Sequence, residues 1–414
     1  MKRLLLITYY FPPCGGAAVQ RWLRLLPLLA DSGYEITVLT TQDGDYPSRD
    51  ETLLEKIPPG VKVIRTKTPV FGNLWRIITG QKEPLPYGSL DSSESTSIAK
   101  KLMYWVRLNL IYPDARVIWN HIAITTAMQL CRENRFDWVI TTGPPHSTHL
   151  IGLYLKKHIK IKWLADFRDP WTQIYYLKSN QQNRLVTKLN YRLEKQVLSH
   201  ADVNLVVSNA IANQLPDGMK KVLYNGFDKE QFLDTIYTKT DKFRIKYIGQ
   251  ITQGQDINQL LAFVSAQLAK HNIEDVSFEF IGTTGINLPE VGMPVTVKSY
   301  MAHTQAINEM VNSELLVLII NNYADNQGML TTKLFEYIGA GTPILCFGPL
   351  DGEAAAIIHQ AQAGLVSPEF NAEVWSFIDS LYQKWQAGIT IKNDHDVSQW
   401  SVQQQIRELI DILA

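Results

Sequence analysis

The stretch MKRLLLITYYFPPCGGAAVQRWLRLLPLLADSGYEITVLTT, residues 1–41, decides the fold. Arg3 to Thr8 is an apolar run of strand length, and PPCGG at Pro12–Gly16 is a loop. Val19 to Ser32 places Trp22, Leu23, Leu26 and Leu29 on one helical face, with a kink predicted at Pro27 and an end at Gly33. Glu35 to Thr41 is a second strand. Strand, helix and strand in this order make a β-α-β unit, so the predicted fold class is α/β with a parallel, doubly wound sheet.

The alternation continues outward. Val61–Thr66, Trp138–Thr142, Ile161–Phe167, Val203–Val207 and Val222–Tyr224 read as strands, and Ser147–His158 and Gln182–Ser199 as helices. Ile98–Leu110 and Ala115–Arg132 also have helical spacing, whereas Pro69–Ser97 reads as a long polar loop. Asn225–Lys242 opens on the turn pair Asn225–Gly226 and has no period, which marks a linker. A second run follows. Its strands are Phe243–Ile248, Val276–Ile281, Val295–Lys298, Leu315–Ile320 and Ile344–Phe347, with helices at Asp256–Lys270 and Thr304–Asn312 and a final amphipathic helix at Val397–Leu413. Two α/β domains result. Ligands bind at the carboxyl ends of parallel strands, so the cleft between the domains is the expected site.

Composition narrows the class. The 414 residues carry 40 Lys and Arg against 40 Asp and Glu, and a net charge of zero gives no support for a nucleic-acid partner. Cys14, Cys131 and Cys346 are too scattered for a disulfide framework or a zinc site, which fits a reducing, cytoplasmic compartment. The apolar core of the opening segment is only Leu4–Ile7, so it reads as a buried strand and not a signal peptide. No window approaches the roughly 18 apolar residues of a membrane-spanning helix. P-loop, H-E-x-x-H and G-x-S-x-G patterns are absent, and no G-x-G-x-x-G follows the first strand, which counts against a nicotinamide oxidoreductase.

Four loops at predicted strand ends and one short helix carry the chemistry. In PPCGG, Gly15 and Gly16 allow close backbone approach and can aim N–H groups at an anion, or simply make a tight turn. GPPHSTH at 143–149 sets His146 on a rigid loop tip, suited to acid/base work, to a sugar hydrogen bond or to capping a helix; His149 reads as a packed helix residue. ADFRDPW at 165–171 brings Arg168 and Asp169 together at the end of a buried strand. An isolated charge is costly there, so either a mutual pair or a ligand is required. YIGQITQGQ at 247–255 offers Gly249 and Gly254 beside the neutral Gln250, Gln253 and Gln255. TTKLFEYIGAGTP at 331–343 reads as a short helix capped by Thr331 or Thr332 and ended by Gly341 and Pro343. Lys333 and Glu336 share one side of it. A Lys at a helix start suits phosphate and a Glu one turn deeper suits sugar hydroxyls; an ordinary surface pair is the alternative.

On these motifs the chain resembles the retaining glycosyltransferases of family 4, whose GT-B fold has two Rossmann-like domains facing a central cleft. The resemblance runs through the Gly15–Gly16 loop, VSNAIANQL (207–215) with YNGFDKEQF (224–232), YIGQI (247–251) and KLFEYIGAGTPIL (333–345). GPPHSTH and DFRDPW resemble members that build bacterial cell-surface polysaccharides. The resemblance implies an acceptor-side domain at 1–225 completed by the helix 397–414, a linker at 226–242 and a nucleotide-sugar domain at 243–396. It implies Glu336 on the ribose, Lys333 on the diphosphate or sugar, Gly15, Gly16, Gly249 and Gln250 along the donor, and backbone near Tyr300 and Met301 on the base. Arg168 and Asp169 take the loop where relatives have a His beside the reacting sugar, and with His146 are the catalytic candidates. Two departures stand out. Gly328 replaces a Glu that contacts the donor sugar in relatives, and Gln250 and Gln253 replace Arg and Lys.

The implied activity is transfer from a nucleotide-diphosphate sugar to a glycan or lipid-linked acceptor, with no cofactor and no metal. A nucleotide-sugar 2-epimerase of the same fold and a weakly catalytic nucleotide-sugar-binding subunit are the alternatives. A lipid-linked acceptor implies peripheral contact with the cytoplasmic membrane face. Lys100, Lys101, Tyr104, Trp105 and Arg107, and separately Lys156, Lys157, Lys160 and Lys162, have the charges and aromatics for it, or form ordinary solvated helix surfaces.

Overall fold

Seven short strands build the first sheet: β1 (Lys2–Ile7), β2 (Tyr34–Thr41), β3 (Lys62–Thr66), β4 (Trp138–Gly143), β5 (Lys162–Phe167), β6 (Val203–Val206) and β7 (Lys220–Val222). All pairings are parallel, in the order β3-β2-β1-β4-β5-β6-β7. Leu4, Leu5, Leu6 and Ile7 are buried without alternation, as a strand covered by helices on both faces must be. The computed structural model describes residues 2–68, 105–106, 108–173, 182–216, 218–251, 255, 257–282, 288–320 and 326–414. The predicted loop at 69–97, most of the predicted helix at 98–110, and Gln253 and Gly254 lie outside these.

The second sheet is also parallel. It comprises β8 (Phe243–Ile248), β9 (Val276–Ile281), β10 (Val295–Lys298), β11 (Leu315–Ile319), β12 (Ile344–Phe347) and β13 (Gly364–Ser367), in the order β10-β9-β8-β11-β12-β13. In each sheet the strand order turns back on itself once, between β1 and β4 and between β8 and β11. The loops that follow these strands therefore lie at the positions where open parallel sheets hold ligands.

The chain divides into two compact units, Met1–Tyr224 with Ile406–Ala414, and Asn225–Gln405. The division runs inside the helix Val402–Leu413. At its start the Val402 N–H donates to the Phe227 carbonyl (2.8 Å), within the second unit. At its end the Leu413 carbonyl accepts from Lys2 Nζ (2.8 Å) and Trp138 Nε1 (3.1 Å), within the first.

Several elements depart from the sequence reading. The first helix, expected from Val19 to Ser32, runs from Ala17 to Asp31 with Pro27 inside it. The strand expected at Val222–Tyr224 is Lys220–Val222, an edge strand paired only to β6; an edge needs no continuous apolar run, so its two lysines hid it. The expected helix 115–132 starts with a 3-10 turn at Val117–Trp119 and becomes α-helical from Asn120 to Glu133. The last helix likewise begins at Val402, after a 3-10 turn at Ser398–Trp400. Beyond Phe347 the structure adds helix Glu353–Gln360, β13 and helix Ala372–Gln386, none of which was predicted.

A buried ion pair closes the second sheet. Glu314, just before β11, accepts from Arg244 Nε (2.9 Å), Arg244 Nη2 (2.8 Å) and the Arg244 backbone N–H (2.7 Å) on β8, and from the Tyr237 hydroxyl (2.7 Å). Its side chain is wholly buried, so removing one partner leaves an uncompensated charge. Glu314→Ala should lower unfolding free energy by about 3–5 kcal/mol. Urea denaturation would show this as a lower midpoint with an unchanged slope.

Candidate active site

In the first unit three loops converge from β1, β4 and β5. The Gly15 N–H donates to the Ser48 carbonyl (3.0 Å), and a Cβ on Gly15 would sit 2.8 Å from Ser48 Oγ. Gly15 is therefore fixed by packing and its amide is taken by Ser48, which is the tight turn of the two alternatives its sequence left open. Gly16 is exposed at φ +86, where an L side chain is strained, and it begins the helix Ala17–Asp31. Burial pushes the neighbouring Cys14 thiol up to about 12, which leaves it unreactive.

The GPPHSTH loop is braced from outside. Asp114 accepts both the Ser147 N–H and the Ser147 hydroxyl at 2.8 Å, and Asn120 Nδ2 donates to the Ser147 carbonyl (2.7 Å). His146 is not at an open tip. Its ring is buried, stacked nearly parallel to Trp171 at 5.3 Å between centroids, and also stacked on Phe167. Burial first, then His149 and Arg168, hold its pKa well below the usual histidine range, with the Pro170 backbone pulling the other way. The imidazole is accordingly neutral. His149 packs inside the helix Thr148–His158, bonds Thr141 Oγ1 (2.9 Å), and is pushed down to about 3 by burial and by Arg168.

Arg168 does not pair with Asp169. It donates to the Gly143 carbonyl (2.9 Å), the Pro144 carbonyl (2.9 Å) and the Ala18 carbonyl, and so ties the β4 loop to the first turn of the helix Ala17–Asp31. Asp169 is partly exposed and accepts no hydrogen bond from the described residues. Burial raises its pKa while Arg168 opposes the shift. Sequence reasoning missed the pair beneath these loops. Asp166 is fully buried, accepts from Trp22 Nε1 (2.8 Å) and Thr142 Oγ1 (2.9 Å), and stands 3.3 Å from Arg21 Nε. The available signal was an arginine set beside the apolar stripe of the first helix.

In the second unit the helix Thr332–Gly339 buries Leu334, Phe335, Tyr337 and Ile338, with Thr331 as the extended residue before it and Gly341 at φ +64 after it. Lys333 turns toward β8. Its Nζ donates to the Tyr247 hydroxyl (2.8 Å) and stands 4.4 Å from the centre of the Tyr247 ring. It lies so close along Gly249 (φ +127) that a Cβ there would meet Lys333 Cδ at 2.9 Å. Burial lowers the Lys333 pKa to about 8, with Glu336 opposing. Glu336 is buried, and its Oε1 lies 3.0 Å from His303 Nε2.

The structure thus gathers Lys333 and Gly249, with Glu336 one helical turn beyond Lys333. The Gln250 and Tyr300 side chains face solvent. Met301 lines a cavity of about 460 Å³ with Thr304, Gln305, Asn308 and Glu309, and Gly328 ends a 3-10 turn before the helix. Among the described residues no group of His, Cys, Asp or Glu is placed to hold a metal. Of the second basic cluster, Lys156 is paired with Asp202 at 2.6 Å, while Lys157, Lys160 and Lys162 are exposed.

Residues 15–220 match the glycosyl transferase 4-like domain. The chain belongs to this glycosyltransferase family. Solved structures agree on the fold. A glycosyltransferase from Rickettsia africae ESF-5 aligns with TM-score 0.60 at 11% identity, over 100% of this chain and 98% of that one. A point mutant of S. aureus TarM, in complex with fondaparinux, alpha-GlcNAc-glycerol and UDP, aligns with TM-score 0.60 at 10% identity over 100% of both. An alpha-glucosyltransferase in complex with UDP and a 13-mer DNA aligns with TM-score 0.53 at 11% identity, again over 100% of both. Among curated proteins none matches the sequence significantly. The glycosyltransferase therefore has the GT-B fold, with two Rossmann-like parallel sheets.

The burial of Lys333 has a direct readout. In ¹³C-methyl-labelled enzyme, besides Lys392, whose pKa burial lowers to about 7, one lysine resonance should titrate near pH 8, well below the ordinary value of about 10.4. That resonance should vanish in Lys333→Met; its persistence there would assign the shifted group elsewhere.

Proposed function

We propose that this glycosyltransferase moves a sugar, with retention at the anomeric carbon, from a nucleotide-diphosphate sugar to a glycan or lipid-linked acceptor in bacterial cell-surface polysaccharide synthesis. The observation that carries the donor half is the placement of Lys333 against Gly249 at the carboxyl end of β8, with Glu336 one turn away. An ammonium at a helix start complements a diphosphate, and glycine lets the phosphate approach the backbone. A carboxylate one turn deeper accepts bonds from vicinal ribose hydroxyls. Protein groups meet the leaving diphosphate, and neither metal nor cofactor takes part. TarM in complex with UDP and alpha-GlcNAc-glycerol supports the same class of donor and acceptor.

The acceptor half is assigned to the first unit. The acceptor oxygen bonds to the anomeric carbon on the face from which the diphosphate leaves, and its proton passes to the departing phosphate. Asp169, half-buried with a raised pKa, orients the acceptor hydroxyl. Arg168 and the stacked His146 hold the loops that present it. The same unit exposes Trp105, Leu110 and Leu185 on two segments joined by the Asn183 N–H to Asn109 Oδ1 bond (2.6 Å), apolar surface suited to a membrane interface at the cytoplasmic face. No helix among the described residues is long and apolar enough to cross a membrane, and the contact proposed is a peripheral one.

A thermal-shift panel of UDP-, GDP-, dTDP- and ADP-sugars should single out one donor, because a ligand held by the folded state raises apparent stability. Glu336→Ala should abolish that shift; full donor affinity in the variant would overturn the assignment of the site. In flotation with anionic liposomes at low salt, the enzyme should rise with the lipid, and Trp105→Ser with Leu110→Ser should leave it in the bottom fraction.

A further inference from the structure

We propose that His303 is a positioning residue for Glu336, fixing its carboxylate in the orientation that receives the ribose hydroxyls; this rests on the ribose reading of Glu336 given above. His303 opens the helix His303–Val311 and falls in one row with Ile307 and Met310, both buried. That row leads into the interior, and from its partly exposed start the ring reaches the helix Thr332–Gly339, where Glu336 lies 33 residues along the chain. Nε2 lies 3.0 Å from Glu336 Oε1. A carboxylate only accepts, so Nε2 carries the proton and donates.

The pair sits at the border of the core, with the His side chain 36% exposed and the Glu side chain 10%. Rotation about the terminal bond of a glutamate is otherwise broad, and a donor fixed by its own helix removes that freedom. Lys333 does not serve this purpose, because its ammonium is drawn to Tyr247. Met301 and Thr304, on either side of His303 in sequence, line a cavity of about 460 Å³.

The test separates orientation from mere folding. UDP, GDP, ADP and dTDP are each compared with their 2′,3′-dideoxy forms by calorimetric titration, in the wild type and in His303→Ala, His303→Gln, Glu336→Ala and the double variant. The wild type should prefer the hydroxylated form of at least one nucleotide, and Glu336→Ala should lose the preference. His303→Ala should reduce the preference about tenfold, the size expected for a bond to a charged group. His303→Gln, which keeps an N–H at similar reach, should restore it to within about threefold. The double variant should lose no more than Glu336→Ala alone. The proposal is overturned if His303→Ala keeps the wild-type preference, or weakens hydroxylated and dideoxy forms equally, while Glu336→Ala abolishes the preference. If Glu336→Ala keeps it, the ribose reading itself fails. Should His303→Ala not fold, His303→Asn, whose amide is too short to reach Oε1, takes its place with the same expected loss.

Discussion

Every strand pairing in both sheets is parallel, and that constraint governs where chemistry can stand. Parallel neighbours cannot be joined by a hairpin, so each connection crosses back over a face of the sheet, usually as a helix. All the loops that leave carboxyl ends then gather at one edge. Gly16, His146 and Asp169 follow β1, β4 and β5 for this reason, and Gly249 follows β8. The helix bearing Lys333 and Glu336 is itself the crossover from β11 to β12.

Charges in the protein divide by burial. Arg21 with Asp166 and Arg244 with Glu314 lie inside, where loss of one partner costs about 3–5 kcal/mol, and they hold the strands beneath the loops. Pairs such as Arg3 with Glu35, at 2.8 Å but half exposed, contribute at most about 1 kcal/mol. Lys333, Glu336 and Asp169 occupy neither class. They are desolvated enough for two of them to have shifted pKa values, and they remain close enough to the surface for a ligand to reach.

The two-sheet architecture was legible because central parallel strands are largely apolar runs; Phe243–Ile248, Val276–Ile281 and Ile344–Phe347 have the same bounds in sequence and structure. The edge strands β7 and β13 were not. KKV at β7 is two-thirds lysine, and GLVS at β13 is four residues long and opens on a glycine at φ +157 that a Cβ would drive into the Ile344 carbonyl. The glycines, Lys333 and Glu336 were visible through local spacing, since a helix start and a loop are short-range features. Contacts across long stretches of chain were invisible in one sequence. Nothing local reveals that Asp166 meets Arg21, that Arg168 spends its donors on three carbonyls, or that His303 reaches Glu336.

Lys333 also changes what an incoming anion has to do. An ammonium in water wears a tight hydration shell, and an ion pair forms only after that shell is stripped. Here part of the shell has already been replaced, during folding, by an aromatic face and a hydroxyl. The cation is under-solvated before any ligand arrives, so attraction to a multiply charged group is strengthened and water competes poorly for the same place. A neutral sugar gains nothing from that arrangement. On the donor reading proposed above, the resting protein carries a standing bias toward phosphorylated over free carbohydrate, set by what surrounds one nitrogen atom.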